Sequence, residues 1–291
     1  MKKLLLCAAF IAASFTSIAQ VGVGTASPDA SAALEVKSTT SGLLPPRMTT
    51  AQRDRINSAA PAEGLTIYNT DTKCLELYNG TDWISVCSGS VVTSPPPPTT
   101  QVANGSGGTY TFMSHNLGAD TSLNADTPVK GLNGDYYQWG KSAPDADVDN
   151  LIGSTWGDQG GTRDNGNWTP SARGPNDPCP GGFRVPSKDE WQAVHTNNTS
   201  SRTGTFSNSA TNYGAALHYG PDASTILLTL PAAGYFYDGA LDYRGLNGNY
   251  WSSTELSSPG PAYTLGFNSS SVGPAYSTFR TFGFSVRCIA E

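Results

Sequence analysis

Apolar positions along this chain fall in short runs that alternate in twos, separated by stretches of glycine, proline, serine and asparagine. Leu65-Thr66-Ile67-Tyr68-Asn69 reads as a strand, and Leu75–Tyr78 and Trp83–Val86 flank Asn79-Gly80-Thr81-Asp82 as a hairpin. Further strands are expected at Phe183–Val185, Leu227–Leu230, Tyr250–Thr254, Ala262–Phe267 and, as one alternating terminal strand, Phe284–Ile289. Helical signals are few. A short helix is expected from Thr50 to Ile56 behind a capping threonine. A second begins at Ser187, where Glu190 completes a capping box and Trp191 and Val194 form the apolar face.

One apolar run is continuous, Leu4 to Ala13, preceded by Lys2-Lys3 and followed by the small-residue site Ser17-Ile18-Ala19. That order predicts a cleaved signal peptide over residues 1–19, and no other run is long enough to cross a membrane. Export to an extracellular, cell-surface or periplasmic location follows, and it makes disulfides the expected state of Cys74, Cys87, Cys179 and Cys288. If Tyr78 faces Trp83 across the hairpin, Cys74 falls opposite Cys87, within bridging reach. Cys179 is then left to pair with Cys288.

Composition sharpens the class. Charged residues make up only 14% of the chain, against about 25% ordinarily, with 32 Gly, 20 Pro and 13 Tyr. That excludes coiled coils and charge-rich tails. A net charge of −6 argues against nucleic acid as a partner. Four consecutive prolines, Pro95–Pro98, sit in a Ser/Gly/Thr-rich stretch read as a linker over residues 91–108. It separates a small β-rich module with one short helix, residues 21–90, from a larger domain, residues 109–291.

The first module's wording, GTASPDASAALEVKSTTSGLLPPRMTTAQRDRI through GLTIYNTDTKCLELYNGTDWISV, resembles a segment of Bacteroidetes surface proteins and phage tail-fibre-like proteins. There it serves as a stalk or presenting element. In the second, YYQWG (136–140), NDPCPGGFRVPSKDEW (176–191), LPAAGY (230–235), YWSSTE (250–255) and FSVRC (284–288) occur in order. These blocks resemble the Fibrobacter succinogenes major paralogous (FISUMP) domain of bacterial surface proteins. The same order is similar to C-type-lectin-like domains, so the resemblance implies an α+β, loop-rich, C-type-lectin-like fold with its first and last strands side by side. A Cys179–Cys288 bridge would tie those ends together.

The residues themselves offer little catalytic chemistry. The three histidines, His115, His195 and His218, accompany no metalloprotease or nucleophile-elbow motif, so no catalytic residue is assigned. Formylglycine-generating enzymes share the lectin-like fold but work through reactive cysteines, and structural disulfides disfavour that activity here. Asp145, Asp147 and Asp149 alternate as a calcium loop begins, although Asn150 replaces the turn glycine and Trp156 the closing glutamate. The alternative is a solvated acidic loop. Tyr235, Tyr237, Tyr243, Asn247, Asn249, Tyr263, Asn268 and Tyr276 crowd the C-terminal third, with Trp156 and Trp168 in glycine-rich loops. Tyr and Asn dominate adaptable binding surfaces, and the same rings stack on sugars. The expectation is a secreted or surface, non-enzymatic protein that binds a glycan or protein ligand. The alternative is a structural or fibre-tip subunit that assembles with partner chains.

Overall fold

The structure is a computed structural model of the whole chain and describes residues 20–54, 56, 61–89, 96–152, 156, 168–257 and 260–291. The signal peptide expected at residues 1–19 lies outside the described residues. The chain divides into two compact units, Met1–Pro46 and Arg47–Glu291. In the first, β1 (Val21–Val23) and β2 (Leu34–Val36) form a parallel two-stranded sheet with Val21 opposite Leu34. Not one described residue from 20 to 46 is buried.

The second unit opens with β3 (Arg47–Met48), the one-turn helix Thr50–Arg53, β4 (Thr66–Asn69), β5 (Cys74–Tyr78) and β6 (Trp83–Ser85). The four strands form one sheet in the order β3-β4-β5-β6. Thr49 caps the helix in a capping box with Gln52. The helix delivers Arg53 to the buried Glu76 carboxylate at 2.6 Å, and Glu76 also accepts from Asn69 and Thr72. The hairpin has the expected register, Tyr78 against Trp83 and Glu76 against Ser85. Two residues further out Cys74 and Cys87 are bridged, with Cα atoms 6.0 Å apart.

The remaining strands follow in chain order. They are β7 (Thr99–Ala103), β8 (Thr109–Met113), β9 (Tyr136–Gln138), β10 (Phe183–Arg184), β11 (Thr199–Thr203), β12 (Ala216–Gly220), β13 (Leu228–Pro231) and β14 (Tyr235–Tyr237). After them come β15 (Ala240–Asp242), β16 (Gly248–Glu255), β17 (Ala262–Phe267), β18 (Val272–Thr278), β19 (Gly283–Ser285) and β20 (Ile289–Ala290). A seven-stranded sheet runs β15-β14-β19-β16-β17-β18 with β9 joined to β19, beside a four-stranded sheet β10-β20-β8-β7 and a three-stranded sheet β11-β12-β13. Strand β7 lies in the stretch read as linker, where Thr99, Thr100 and Val102 suit a strand and pair with β8.

The α+β, C-type-lectin-like expectation is overturned. Sheets dominate, and among the described residues the only helix longer than a turn is Lys188–Asn197. Apolar positions elsewhere alternate in twos and are interrupted by Gly and Pro before a helix can nucleate. The last strand of the chain does pair with β8, through Ile289 and Phe112, but that neighbourhood alone does not make the expected fold. The single terminal strand expected at Phe284–Ile289 is two strands, β19 and β20, that join different sheets. Residues 283–289 are all buried, so both of its faces are covered.

The helix packs Trp191 on Phe112, ring centroids 5.3 Å apart, and Val194 into the same core as Leu217, Tyr250 and Leu265. A neighbouring core holds Trp139, Trp168, Trp251 and Phe284 around the Cys179–Cys288 bridge, whose Cα atoms are 5.8 Å apart. That bridge closes a loop of 109 residues, which by chain entropy is worth about 4–5 kcal/mol.

Beside it Arg287 is buried without a salt bridge among the described residues. All five guanidinium N–H groups are used: Nε and Nη2 donate to Asn116 Oδ1, Nη1 to Met113 O and Ser114 O, and Nη2 again to Thr229 O. Asn116 in turn donates to Asn133 O and to the Tyr250 hydroxyl, which donates to Pro231 O. Burial pushes Arg287 down to about 10, so it stays charged at neutral pH.

Replacing the fork by a point charge leaves several carbonyls unpaired. Arg287→Lys is expected to cost about 3 kcal/mol or more, read from the urea midpoint of the oxidised protein. A variant within about 0.5 kcal/mol of the parent would refute the central role of this cluster. The histidines make a separate expectation. Burial lowers His115 and His218 below the ordinary value of 6.5. A base with a lowered folded pKa binds fewer protons folded than unfolded, so stability is full above pH 6.5 and declines as the pH falls through the folded values. Urea midpoints at about pH 7.5 and about pH 5 should differ in the parent, and the difference should shrink in His218→Gln.

Candidate binding site

The outer edge of the seven-stranded sheet builds a depression of about 130 Å³ lined by Asn247, Asn249, Gly266, Phe267, Asn268, Ser271 and Tyr276. Strand pairing explains its shape. Asn249 on β16 stands opposite Gly266 on β17, and Gly266 stands opposite Gly273 on β18. A Cβ on Gly266 would come within 2.8 Å of the Tyr276 ring, and one on Gly273 within 2.6 Å. The ring therefore lies across two glycines, one face on backbone, and the residue remains 53% exposed. Such a platform has little freedom to rotate.

The polar groups there are largely unspent. Asn268 closes the β17–β18 hairpin by accepting at Oδ1 from the Ser270 and Ser271 amides and hydroxyls, which leaves its Nδ2 as a donor. Asn249 Nδ2 is buried with no hydrogen-bond partner. Neither a cation nor a carboxylate lines the depression. A site of this kind favours a neutral, hydroxyl- or amide-bearing ligand with an apolar face. The volume falls below the roughly 300 Å³ of a drug-sized pocket, so one ring at a time fits.

Of the aromatic and amide residues singled out in the sequence, Asn247, Asn249, Asn268 and Tyr276 meet at this depression. The bridge between Gly234 and Gly248 puts Tyr235 on the same face, beside Asn247 and Asn249. Tyr243 stacks on Tyr235 at 5.4 Å and holds a left-handed backbone, φ 55°, that costs a non-glycine residue about 1–2 kcal/mol. Tyr237, half exposed, stacks on Phe282 at 4.6 Å. Tyr263 stands apart from the depression, with the Lys188 ammonium 5.0 Å above its ring.

The surface position expected for Trp168 is corrected, while Trp156 is half-buried. Trp168 is buried in the core against Trp139, at 5.4 Å, and donates Nε1 to Asn176 O at 2.8 Å. Trp156 stacks on Phe236 at 5.9 Å and donates to Thr281 O. Glycine-rich flanks describe the backbone; an indole still folds inward where other rings offer apolar area. The sequence reading missed Gly266 and Gly273, although a glycine inside a strand pattern was the available signal.

The acidic loop is a set of internal ion pairs. Asp145 meets Lys141 and the Gln138 amide, Asp147 caps the Asp149 and Asn150 amides, and Asp149 meets Lys130, Arg244 and Tyr213. The hydrogen bond from the Lys130 ammonium holds the Asp149 carboxyl below the usual range. The three carboxylates thus turn to different partners, and among the described residues no three His, Cys, Asp or Glu side chains converge as metal ligands. Asp158 and Asp164, whose carboxylates could add to such a loop, lie outside the described residues.

Two families match parts of the chain. Residues 22–103 match a phage tail like trimerisation region. Residues 221–289, which include every residue of the depression, match a domain of unknown function, DUF8237. Each covers less than half of the chain. No curated protein and no solved structure matches the chain.

Proposed function

We propose that the protein is an exported structural subunit that assembles as a trimer through its N-terminal residues and carries a non-enzymatic β-sheet domain for recognition. The observation that carries the reading is the absence of any buried residue among the described residues of 20–46, although β1 and β2 are formed there. Val21, Val23, Leu34 and Val36 are 53, 52, 56 and 41% exposed, and Leu43 and Leu44 more so. A two-stranded sheet is marginal by itself, and parallel pairs normally have both faces covered.

Further copies of the same chain are the natural cover. The match to a trimerisation region spans β2 and most of β1. Residues 20–46 carry only three charges, Asp29, Glu35 and Lys37, so copies meet with little repulsion. Threefold closure would bury the apolar rows without leaving an open, fibre-forming face. The signal-peptide pattern and the two disulfides support an exported setting. No described helix is long and apolar enough to cross a membrane. The ordered FISUMP-like blocks support display at a bacterial surface.

A non-enzymatic role is supported by the histidines, which serve internal contacts. His115 Nε2 donates to Leu123 O, His195 meets the Tyr219 hydroxyl, and His218 meets the Thr229 hydroxyl.

Light scattering on the full secreted chain at micromolar concentration should give three times the chain mass. Val23→Asp combined with Leu34→Asp should weaken association at least about tenfold and yield monomers whose disulfides remain intact. A monomeric parent, or a trimer indifferent to the double substitution, would refute the reading.

A further inference from the structure

The geometry points to a carbohydrate site on the outer face of the seven-stranded sheet, where a neutral, unbranched oligosaccharide lies across Tyr276, the amides of Asn249 and Asn247, and the Tyr235–Tyr243 stack. This goes beyond the assembly reading and does not depend on it.

Three observations carry the inference. The first is a fixed aromatic platform: Tyr276 rests on Gly266 and Gly273 and offers its other face outward. A sugar ring has an axial C–H face that packs on such a surface, whereas an anionic ligand gains little from the electron-rich face of the ring. The second is unspent amide capacity. Asn116, Asn198 and Asn212 of this domain hydrogen-bond backbone carbonyls, whereas Asn133 and Asn249 are left with unpartnered side-chain atoms. Around the depression the Asn247 side chain, Asn249 Nδ2 and Asn268 Nδ2 have no partner among the described residues. A primary amide offers a donor and an acceptor side by side, matched to neighbouring hydroxyls on a pyranose.

The third observation is the second aromatic station. Tyr235 lies on the same face as Asn247 and Asn249, and Tyr243 is held against it in a left-handed conformation. Strain of this kind persists where surrounding structure enforces it, commonly at ligand contacts. Two stations with amides between them suit a chain of rings better than a single one. The lining residues carry no charge, which disfavours uronic or sulfated polymers.

The test is calorimetric titration of the full oxidised chain with linear hexasaccharides of β-1,4-glucose, α-1,4-glucose, β-1,4-xylose and β-1,4-N-acetylglucosamine, with heparin and decaproline as contrasting probes. At least one neutral hexasaccharide should bind, with affinity unchanged by EDTA and higher than that of its disaccharide. Tyr276→Ala and, separately, Asn249→Ala should each weaken binding about tenfold or more while the thermal midpoint stays near that of the parent. Tyr243→Ala should remove the advantage of the hexasaccharide over the disaccharide and leave disaccharide binding intact. Val23→Asp/Leu34→Asp protein should bind with the same constant per chain, so failure of assembly and failure of this site are read separately. No neutral sugar bound at millimolar concentration, binding only to heparin or only to decaproline, or binding indifferent to both Tyr276→Ala and Asn249→Ala would overturn the inference.

Discussion

A guanidinium in a dry core is the constraint on which residues 99–291 depend. Arg287 makes no salt bridge among the described residues, so its cost of burial is met chiefly by its five donors finding carbonyl or amide oxygens. Those acceptors come from Met113, Ser114 and Asn116 near the start of the domain and from Thr229 beyond its middle. Satisfying one side chain therefore brings together segments more than a hundred residues apart. The adjoining Cys179–Cys288 bridge acts on the same closure from the unfolded side, by removing chain entropy.

From that cluster the order spreads to the sheet. Asn116, oriented by Arg287, hydrogen-bonds the Tyr250 hydroxyl, which holds Pro231 O. With Tyr250 turned inward, its neighbour Asn249 must turn outward, since side chains alternate along a strand. The outward row then meets Gly266, whose missing side chain admits the Tyr276 ring. A core made for closure thus determines which polar groups remain free at the surface.

The N-terminal unit follows a different economy. Its described residues have regular strands and apolar side chains in alternating rows, but none of them is buried. Small size explains this, because fewer than fifty residues cannot enclose enough apolar area alone. In the proposed assembly, further copies would supply an interior by repetition, and the scarcity of charge in residues 20–46 suits that.

Local physics made much of this legible in the residues. The Asn-Gly hairpin placed Cys74 against Cys87, the Ser187–Glu190 capping box set the start of the helix, and strand alternation marked β16 and β17 at the centre of the large sheet. The grouping of Asn247, Asn249, Asn268 and Tyr276 was visible as composition, since short polar and phenolic side chains were crowded in one stretch. What the sequence left open was nonlocal. It did not show that Trp156 and Trp168 turn inward, that Asp145, Asp147 and Asp149 are taken by Lys141, backbone amides, Lys130 and Arg244, or that the α+β expectation yields to sheets. Alternation, capping and turn propensity act within a few residues, so the chain itself determined the elements and the near pairings. Burial and ion-pair partners depend on groups far apart in sequence, so only the tertiary structure decided which loops are core and which amides remain free.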